Sequence, residues 1–139
     1  HLEIAIEIDA DGVHVGKNDV PVSAAKNLLG HNKIVGTSCY NQLGLAKQAQ
    51  KDGADYIAFG AFFSSLTKPN AVSVSISLVN QAQKALSIPI VGIGGIQLTN
   101  ARTVIQSGCA AIAVCHDLFQ AENIKAAAAH YVQLFAETM

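Results

Sequence analysis

Short apolar runs rich in Val and Ile recur along the chain, beginning at Gly12, Ile34, Tyr56, Pro89 and Ala111. Successive starts fall 22, 22, 33 and 22 residues apart. A short strand, a helix and two brief loops fill about 22 residues, so the repeat has the period of a βα unit. The runs read Gly12-Val-His-Val, Ile34-Val-Gly-Thr, Tyr56-Ile-Ala-Phe-Gly, Pro89-Ile-Val-Gly-Ile and Ala111-Ile-Ala-Val-Cys. They are nearly continuous rather than alternating, the pattern of parallel strands buried on both faces. The spacing of 33 carries 11 extra residues, Phe63 to Ser73. Long loops on a tight scaffold are commonly binding loops or lids.

Helical stripes lie between the runs. Asn41 is expected to cap a helix carrying Leu43, Ala46 and Ala49 and stopped by Gly53. Ser77 is expected to cap another, with Leu78, Ala82, Ala85 and Leu86 inward, and Thr99 to open a third that ends at Gly108. The last helix has the clearest stripe, Ile124, Ala127, Ala128, Tyr131, Leu134 and Phe135. A weaker helix spans Ser23 to Leu29, and the opening from Leu2 to Ile8 also has a helical pattern.

The fold class is therefore parallel α/β. An open doubly wound sheet competes with a (β/α)8 TIM barrel. Short units, a nearly constant period and glycines at strand ends favour the barrel. A complete barrel needs eight strands and typically about 250 residues, whereas five strands are legible in these 139 residues. The chain opens on His1 rather than a methionine and runs straight into a helical pattern. It is expected to be one domain over residues 1–139, the C-terminal portion of a barrel with about the last five βα units present.

Half the residues are hydrophobic and 14% are charged, which excludes a disordered chain. The net charge of −1 gives no electrostatic footprint for nucleic acid, and the absence of Trp leaves little for base stacking. No run approaches the roughly 18 apolar residues of a membrane-spanning helix. Cys39, Cys109 and Cys115 form no C-x-x-C pair and are odd in number, as expected of reduced, mostly buried thiols in a cytoplasmic protein.

In parallel α/β folds the functional groups gather where strands end and the following loops begin. Those positions here are Gly16-Lys-Asn-Asp19, Thr37-Ser-Cys-Tyr-Asn41, Gly60 to Lys68, Gly94-Gly95 and Cys115-His-Asp117. They supply hydroxyls, a lysine, a carboxylate and a glycine pair, with no signature of a nucleophile and its base. Such a set suits anion binding better than acyl transfer. Adjacent glycines ahead of a helix let backbone N–H groups approach a phosphate, although a tight βα turn accounts for Gly94-Gly95 equally well. Lys68 has Ser65 and Thr67 beside it in the long loop, which favours a diphosphate clamp over a merely solvated lysine. Asp19 is a hard oxygen ligand suited to Mg²⁺, which takes one or two carboxylates plus substrate phosphates. Spacing alone favours helix capping ahead of Pro21. Ser38 can donate to phosphate or close a turn. His14, alternating with Val13 and Val15, is expected to face the barrel interior as a hydrogen-bonded core residue. His31 and His130 read as surface residues. His116, after the last strand, is either a phosphate donor or acid–base group or a loop histidine without a task.

The series Ala10 to Asp19, Val35-Gly-Thr-Ser-Cys-Tyr-Asn41, Gly53-Ala-Asp-Tyr-Ile-Ala-Phe-Gly60, Thr67-Lys68-Pro69 and Pro89-Ile-Val-Gly-Ile-Gly-Gly-Ile96 resembles the thiamine-phosphate synthase (thiamine-phosphate pyrophosphorylase) family. The resemblance covers nearly the whole chain. It implies condensation of hydroxymethylpyrimidine diphosphate with a thiazole phosphate, giving thiamine phosphate and pyrophosphate by a dissociative, Mg²⁺-assisted route. It further implies Asp19 as a magnesium ligand and Ser38 and Lys68 as pyrophosphate-binding, catalytic positions. Ser65 and Thr67 match the loop hydroxyls that contact the thiazole partner and phosphates, and Gly94 and Gly95 the thiazole-phosphate glycines. Ala61 stands where the family loop usually has proline, Ser65 where it has threonine, and His116 where it has a phosphate-contacting serine. The family's pyrimidine-binding strand and a further Asn-Asp metal pair would precede His1, so this chain alone is not expected to build a complete active site. Two other readings compete: a thiazole tautomerase-like isomerase and a non-catalytic phosphate-binding or interaction barrel. The isomerase is expected to carry a histidine at the position of Ala61. The implied partners are small phosphate and diphosphate substrates, with neither nucleic acid nor membrane; a homodimer would be ordinary for such a barrel.

Overall fold

Five parallel strands form one sheet in chain order, with helices in the connections. The computed structural model describes residues 1–64 and 73–138. A helix α1 (Leu2–Glu7) precedes β1 (Gly12–Val15), and α2 (Val22–Leu29) leads to β2 (Ile34–Tyr40). Then come α3 (Leu43–Lys51), β3 (Tyr56–Gly60), α4 (Ile76–Ala85), β4 (Ile90–Ile93), α5 (Ala101–Gln106) and β5 (Ala111–Ala113). The short α6 (His116–Phe119) and the long α7 (Ile124–Thr138) close the chain. Every apolar run that the repeat picked out is a strand, and the register is regular apart from an irregularity between Ser38 and Tyr40.

Alternation along the strands sorts the side chains between two unlike faces. Val15, Val35, Cys39, Ile57, Phe59 and Ile90 point to one face and are buried there. The helices supply its other half: Ala46 and Ala49 from α3, Val79 and Ala82 from α4, Ala101 and Val104 from α5, Tyr131 from α7. Burying one such Ile, Val or Phe side chain contributes about 1.5–3 kcal/mol. The many alanines keep the helix axes close to the sheet. The opposite face carries His14, Tyr56, Val91, Ile93, Ala111 and Ala113, several of them exposed. The expectation of strands buried on both faces is thus corrected: only one face is covered among the described residues. The reason lies in the connections, which pack against the same side of the sheet throughout.

The helix starts also differ from expectation. The N-cap of α3 is Gln42 rather than Asn41, without a side-chain bond. That of α4 is Ser75 rather than Ser77, its hydroxyl accepting from the Leu78 N–H at 3.2 Å. That of α5 is Asn100 rather than Thr99. Gly53 and Gly108 do follow the helices as expected, at φ of +90° and +96°. The free thiols divide as buried Cys39 and Cys109 and exposed Cys115. Among the described residues no helix is long and apolar enough to cross a membrane.

Candidate phosphate-binding rim

Because the strands are parallel and paired in order, their last residues, Val15, Tyr40, Gly60, Ile93 and Ala113, share one edge of the sheet. The loops that leave this edge hold most of the residues singled out by sequence, while Ser38, expected after the strand, lies within β2 near its end. After β1 the chain folds back on itself: Asp19 Oδ2 accepts from the Gly16 N–H at 2.8 Å, and the Asp19 N–H donates to the Gly16 carbonyl at 3.1 Å. The Tyr40 hydroxyl accepts from the Lys17 N–H at 3.1 Å, pinning this turn to the end of β2. Asp19 does not cap α2, whose N-cap is Pro21 without a side-chain bond. The carboxylate is instead exposed at the rim with Oδ2 held by backbone.

Ser38 sits on the open face of β2, opposite Ala58, half-buried. Its Oγ lies 2.8 Å from His14 Nε2, and His14 Nδ1 lies 2.9 Å from the Tyr56 hydroxyl. His14 therefore faces away from the helices and is hydrogen-bonded, as its alternation with valines predicts, but it is exposed among the described residues rather than packed in the core. Burial pushes the His14 pKa below the ordinary histidine value, while the nearby Asp19 charge opposes the shift.

The β3 and β4 ends are laced together. The Phe62 and Phe63 N–H groups donate to the Ile93 and Gly94 carbonyls, each at 3.1 Å, and the Val74 N–H donates to the Ala61 carbonyl at 2.8 Å. Both described flanks of the long loop are therefore held at the same rim as Gly94. Ser65, Thr67 and Lys68 lie outside the described residues. Gly94 and Gly95 have φ of +99° and +62°, a left-handed backbone that favours glycine. A Cβ on Gly94 would lie 2.5 Å from Ala61 Cβ, and one on Gly95 would lie 2.6 Å from the Phe63 and Ser64 carbonyl oxygens. Close packing thus accounts for both glycines by itself, whatever they bind.

Two bracing contacts were not legible in the sequence. Asn100 Nδ2 donates to the Gly95 carbonyl at 3.1 Å while its Oδ1 accepts from the Gln97 N–H at 2.9 Å, holding the glycine turn from behind. Asp117 Oδ2 accepts from the Tyr131 hydroxyl at 2.6 Å and from the Leu98 N–H at 3.4 Å, tying α6 and α7 to the same turn. Burial, and then the Asp117 carboxylate, push the Tyr131 hydroxyl well above the usual tyrosine range. The only sequence signal for the first contact was an Asn three residues after Gln97, and the second spans 14 residues with no motif. His116 lies exposed in the first turn of α6, next to the rim. The surface depressions lined by Leu98, His130 and Leu134, and by Lys26, His31 and Asp52, hold none of the candidate phosphate- or metal-binding residues, and His31 and His130 lie at the surface as expected.

Among the described residues no three His, Cys, Asp or Glu side chains converge as a self-contained metal cage. One rim carboxylate, Asp19, fits a different arrangement, a divalent cation shared with substrate phosphates. The sequence profile of a family described as thiamine monophosphate synthase matches residues 1–118. The chain belongs to that family. Members similar to it include the thiamine-phosphate synthases of Nitrosomonas eutropha, 53% identical over 97% of this chain, and Nitrosospira multiformis, 50% identical over 97%. Those alignments cover 64% and 58% of the relatives, so this chain spans about 60% of their length. Among solved structures, a thiamine phosphate pyrophosphorylase from Pyrococcus furiosus superimposes with a TM-score of 0.89 at 33% identity, over 100% of this chain and 66% of that one.

Proposed function

We propose that the polypeptide carrying these residues condenses hydroxymethylpyrimidine diphosphate with a thiazole phosphate, releasing pyrophosphate and forming thiamine phosphate. The observation that carries the reading is the common rim: Asp19 and Gly94-Gly95 follow strands at the same edge of one parallel sheet where Ser38 lies near the end of β2. Family membership and the relatives' names agree with it. The five βα units are, in this reading, the C-terminal portion of a (β/α)8 barrel. The partly exposed second face of the sheet supports closure, because a barrel would turn that face inward.

The reaction breaks the bond between the pyrimidine methylene carbon and the diphosphate oxygen. The thiazole nitrogen then supplies the electron pair for the new carbon–nitrogen bond. Charge develops on the departing diphosphate, so fixed donors aimed there lower the barrier. Ser38 is proposed to donate one such hydrogen bond, with Lys68 adding a positive charge from the long loop. Ser65 and Thr67 are proposed as further hydroxyl donors. The Gly94 and Gly95 backbone is proposed to bind the thiazole phosphate, His116 contributing from the neighbouring rim position. Asp19 would hold a Mg²⁺ ion, which supplies charge neutralisation for a leaving diphosphate. Asp19 keeps its own orientation through the Gly16 N–H, so that its carboxylate is fixed before substrate arrives.

The test is pyrophosphate release by the full-length polypeptide with both substrates and Mg²⁺ present. Release that requires the thiazole phosphate as well as the pyrimidine is expected. No release under those conditions rejects the assignment. A tautomerase-like reaction would need a base at Ala61, which is a buried methyl side chain, or one supplied instead by the exposed His116.

A further inference from the structure

His14 and Tyr56 take no part in the steps above, yet they form a continuous hydrogen-bonded chain with Ser38 across three strands. The sheet register makes this possible. His14 pairs with Gly36 on β2, and Gly36 pairs with Tyr56 on β3. A Cβ on Gly36 would overlap the Tyr56 ring, so the glycine is what lets that ring lean over β2. The two rings then lie 5.6 Å apart between centroids, tilted by 31°.

A neutral imidazole carries one N–H and one lone pair, so it donates on one side and accepts on the other. A phenol is far more acidic than an alkyl hydroxyl and is the better donor of the two. The network therefore assigns the Tyr56 O–H to His14 Nδ1, which leaves the ring proton on Nε2, donating to Ser38 Oγ. With its oxygen already accepting, Ser38 must direct its own proton elsewhere. In the opposite tautomer Ser38 would donate to the imidazole and present only lone pairs to an incoming anion. The Asp19 charge favours a protonated imidazole, and partial burial of the ring outweighs it.

We propose that His14, oriented by Tyr56, is a positioning residue that fixes the Ser38 hydroxyl as a hydrogen-bond donor toward the substrate diphosphate. This rests on the reading of Ser38 given under the proposed function. His14 touches no reacting atom and acts only through the serine.

Titration calorimetry of the full-length polypeptide with inorganic pyrophosphate and Mg²⁺ tests it, together with ¹⁵N NMR of the His14 ring. Losing a hydrogen bond to a charged group weakens binding on the order of tenfold, which is the effect expected for Ser38→Ala. His14→Ala is expected to lose a similar share alone, and nothing further when added to Ser38→Ala. His14→Gln, whose amide can still donate to Ser38, is expected to retain most of the affinity. Tyr56→Phe is expected to move the ring proton to Nδ1 and weaken binding with His14 still present. Wild-type His14 should show a protonated Nε2 and a bare Nδ1. Equal losses from His14→Ala with and without Ser38, or a ring protonated at Nδ1 in the wild type, overturn the proposal alone. A wild-type protein that binds no pyrophosphate overturns the diphosphate reading itself. If His14→Ala fails to fold, His14→Gln and the wild-type ring spectrum still decide.

Discussion

Replacing Gly94 by alanine disturbs the rim where two strands are laced together, and its cost follows from two separate features. The backbone at φ +99° lies outside the ordinary left-handed well for a residue with a Cβ, a conformation costing about 1–3 kcal/mol. The new methyl would also lie 2.5 Å from Ala61 Cβ and 2.6 Å from Ala61 Cα, and relieving such overpacking typically costs about 1–3 kcal/mol. Against these, restricting the unfolded chain returns about 0.4–1 kcal/mol. The net expectation is a destabilisation of about 1–5.5 kcal/mol, a large part of the roughly 5–15 kcal/mol that holds a domain together. Urea unfolding followed by far-ultraviolet circular dichroism should show a midpoint lower by on the order of 0.5–3 M. Gly44→Ala, in α3 with open space around the position, should instead gain up to about 1 kcal/mol. Ala61→Gly added to Gly94→Ala should recover only part of the loss, because Ala61 Cα still stands in the way. A Gly94→Ala midpoint indistinguishable from wild type would refute the steric argument.

Other expectations are more local. Ser75→Ala removes the α4 cap and should cost about 1 kcal/mol by urea midpoint, and Ser75→Asp should restore most of it. Asp55 Oδ2 accepts from the Val35 N–H at 2.6 Å and pairs with Lys26 Nζ at 2.6 Å. Burial works to raise this carboxyl, but the Lys26 hydrogen bond, the Val35 donor and the Lys26 charge outweigh it and hold the group below the usual range. Its stabilisation should therefore be complete above an unfolded value of about 3.9 and be lost as pH falls through the lower folded value. Asp55→Asn should flatten stability against pH in that acid window; an unchanged profile would count against the pair. Asp19→Asn keeps an oxygen for the Gly16 N–H but removes the charge. It should leave the urea midpoint nearly unchanged while abolishing most of the Mg²⁺ dependence of pyrophosphate binding.

The strands were legible because burial of Val and Ile at a fixed period leaves a strong mark on sequence. The helix starts were less so. Gln42, Ser75 and Asn100 each lie within two residues of the polar position expected to cap, and only backbone angles choose between such neighbours. The four residues of α6 are too few to show any periodicity. Sequence does not separate the open second face from the covered one, because a barrel interior and a helix-covered face ask for similar small and apolar residues. At the candidate site, Asp19 and the glycine pair do follow strands as expected, whereas Ser38, expected after the second strand, lies within β2 (Ile34–Tyr40) two residues before its end. The Asn100 brace, the Asp117–Tyr131 link and the His14–Tyr56 contact could not be found from sequence, since each depends on how side chains meet across elements. Tyr56 reaches His14 only because residue 36 has no side chain, and no spacing rule encodes that.

The shared rim is tested most directly by a crystal structure of the full-length polypeptide with pyrophosphate, Mg²⁺ and the thiazole phosphate together. Both anions should occupy one end of the sheet, the pyrophosphate against Ser38 and Asp19 and the thiazole phosphate on the Gly94-Gly95 backbone. Either anion bound at the opposite end of the strands, or a metal ion away from Asp19, would contradict it.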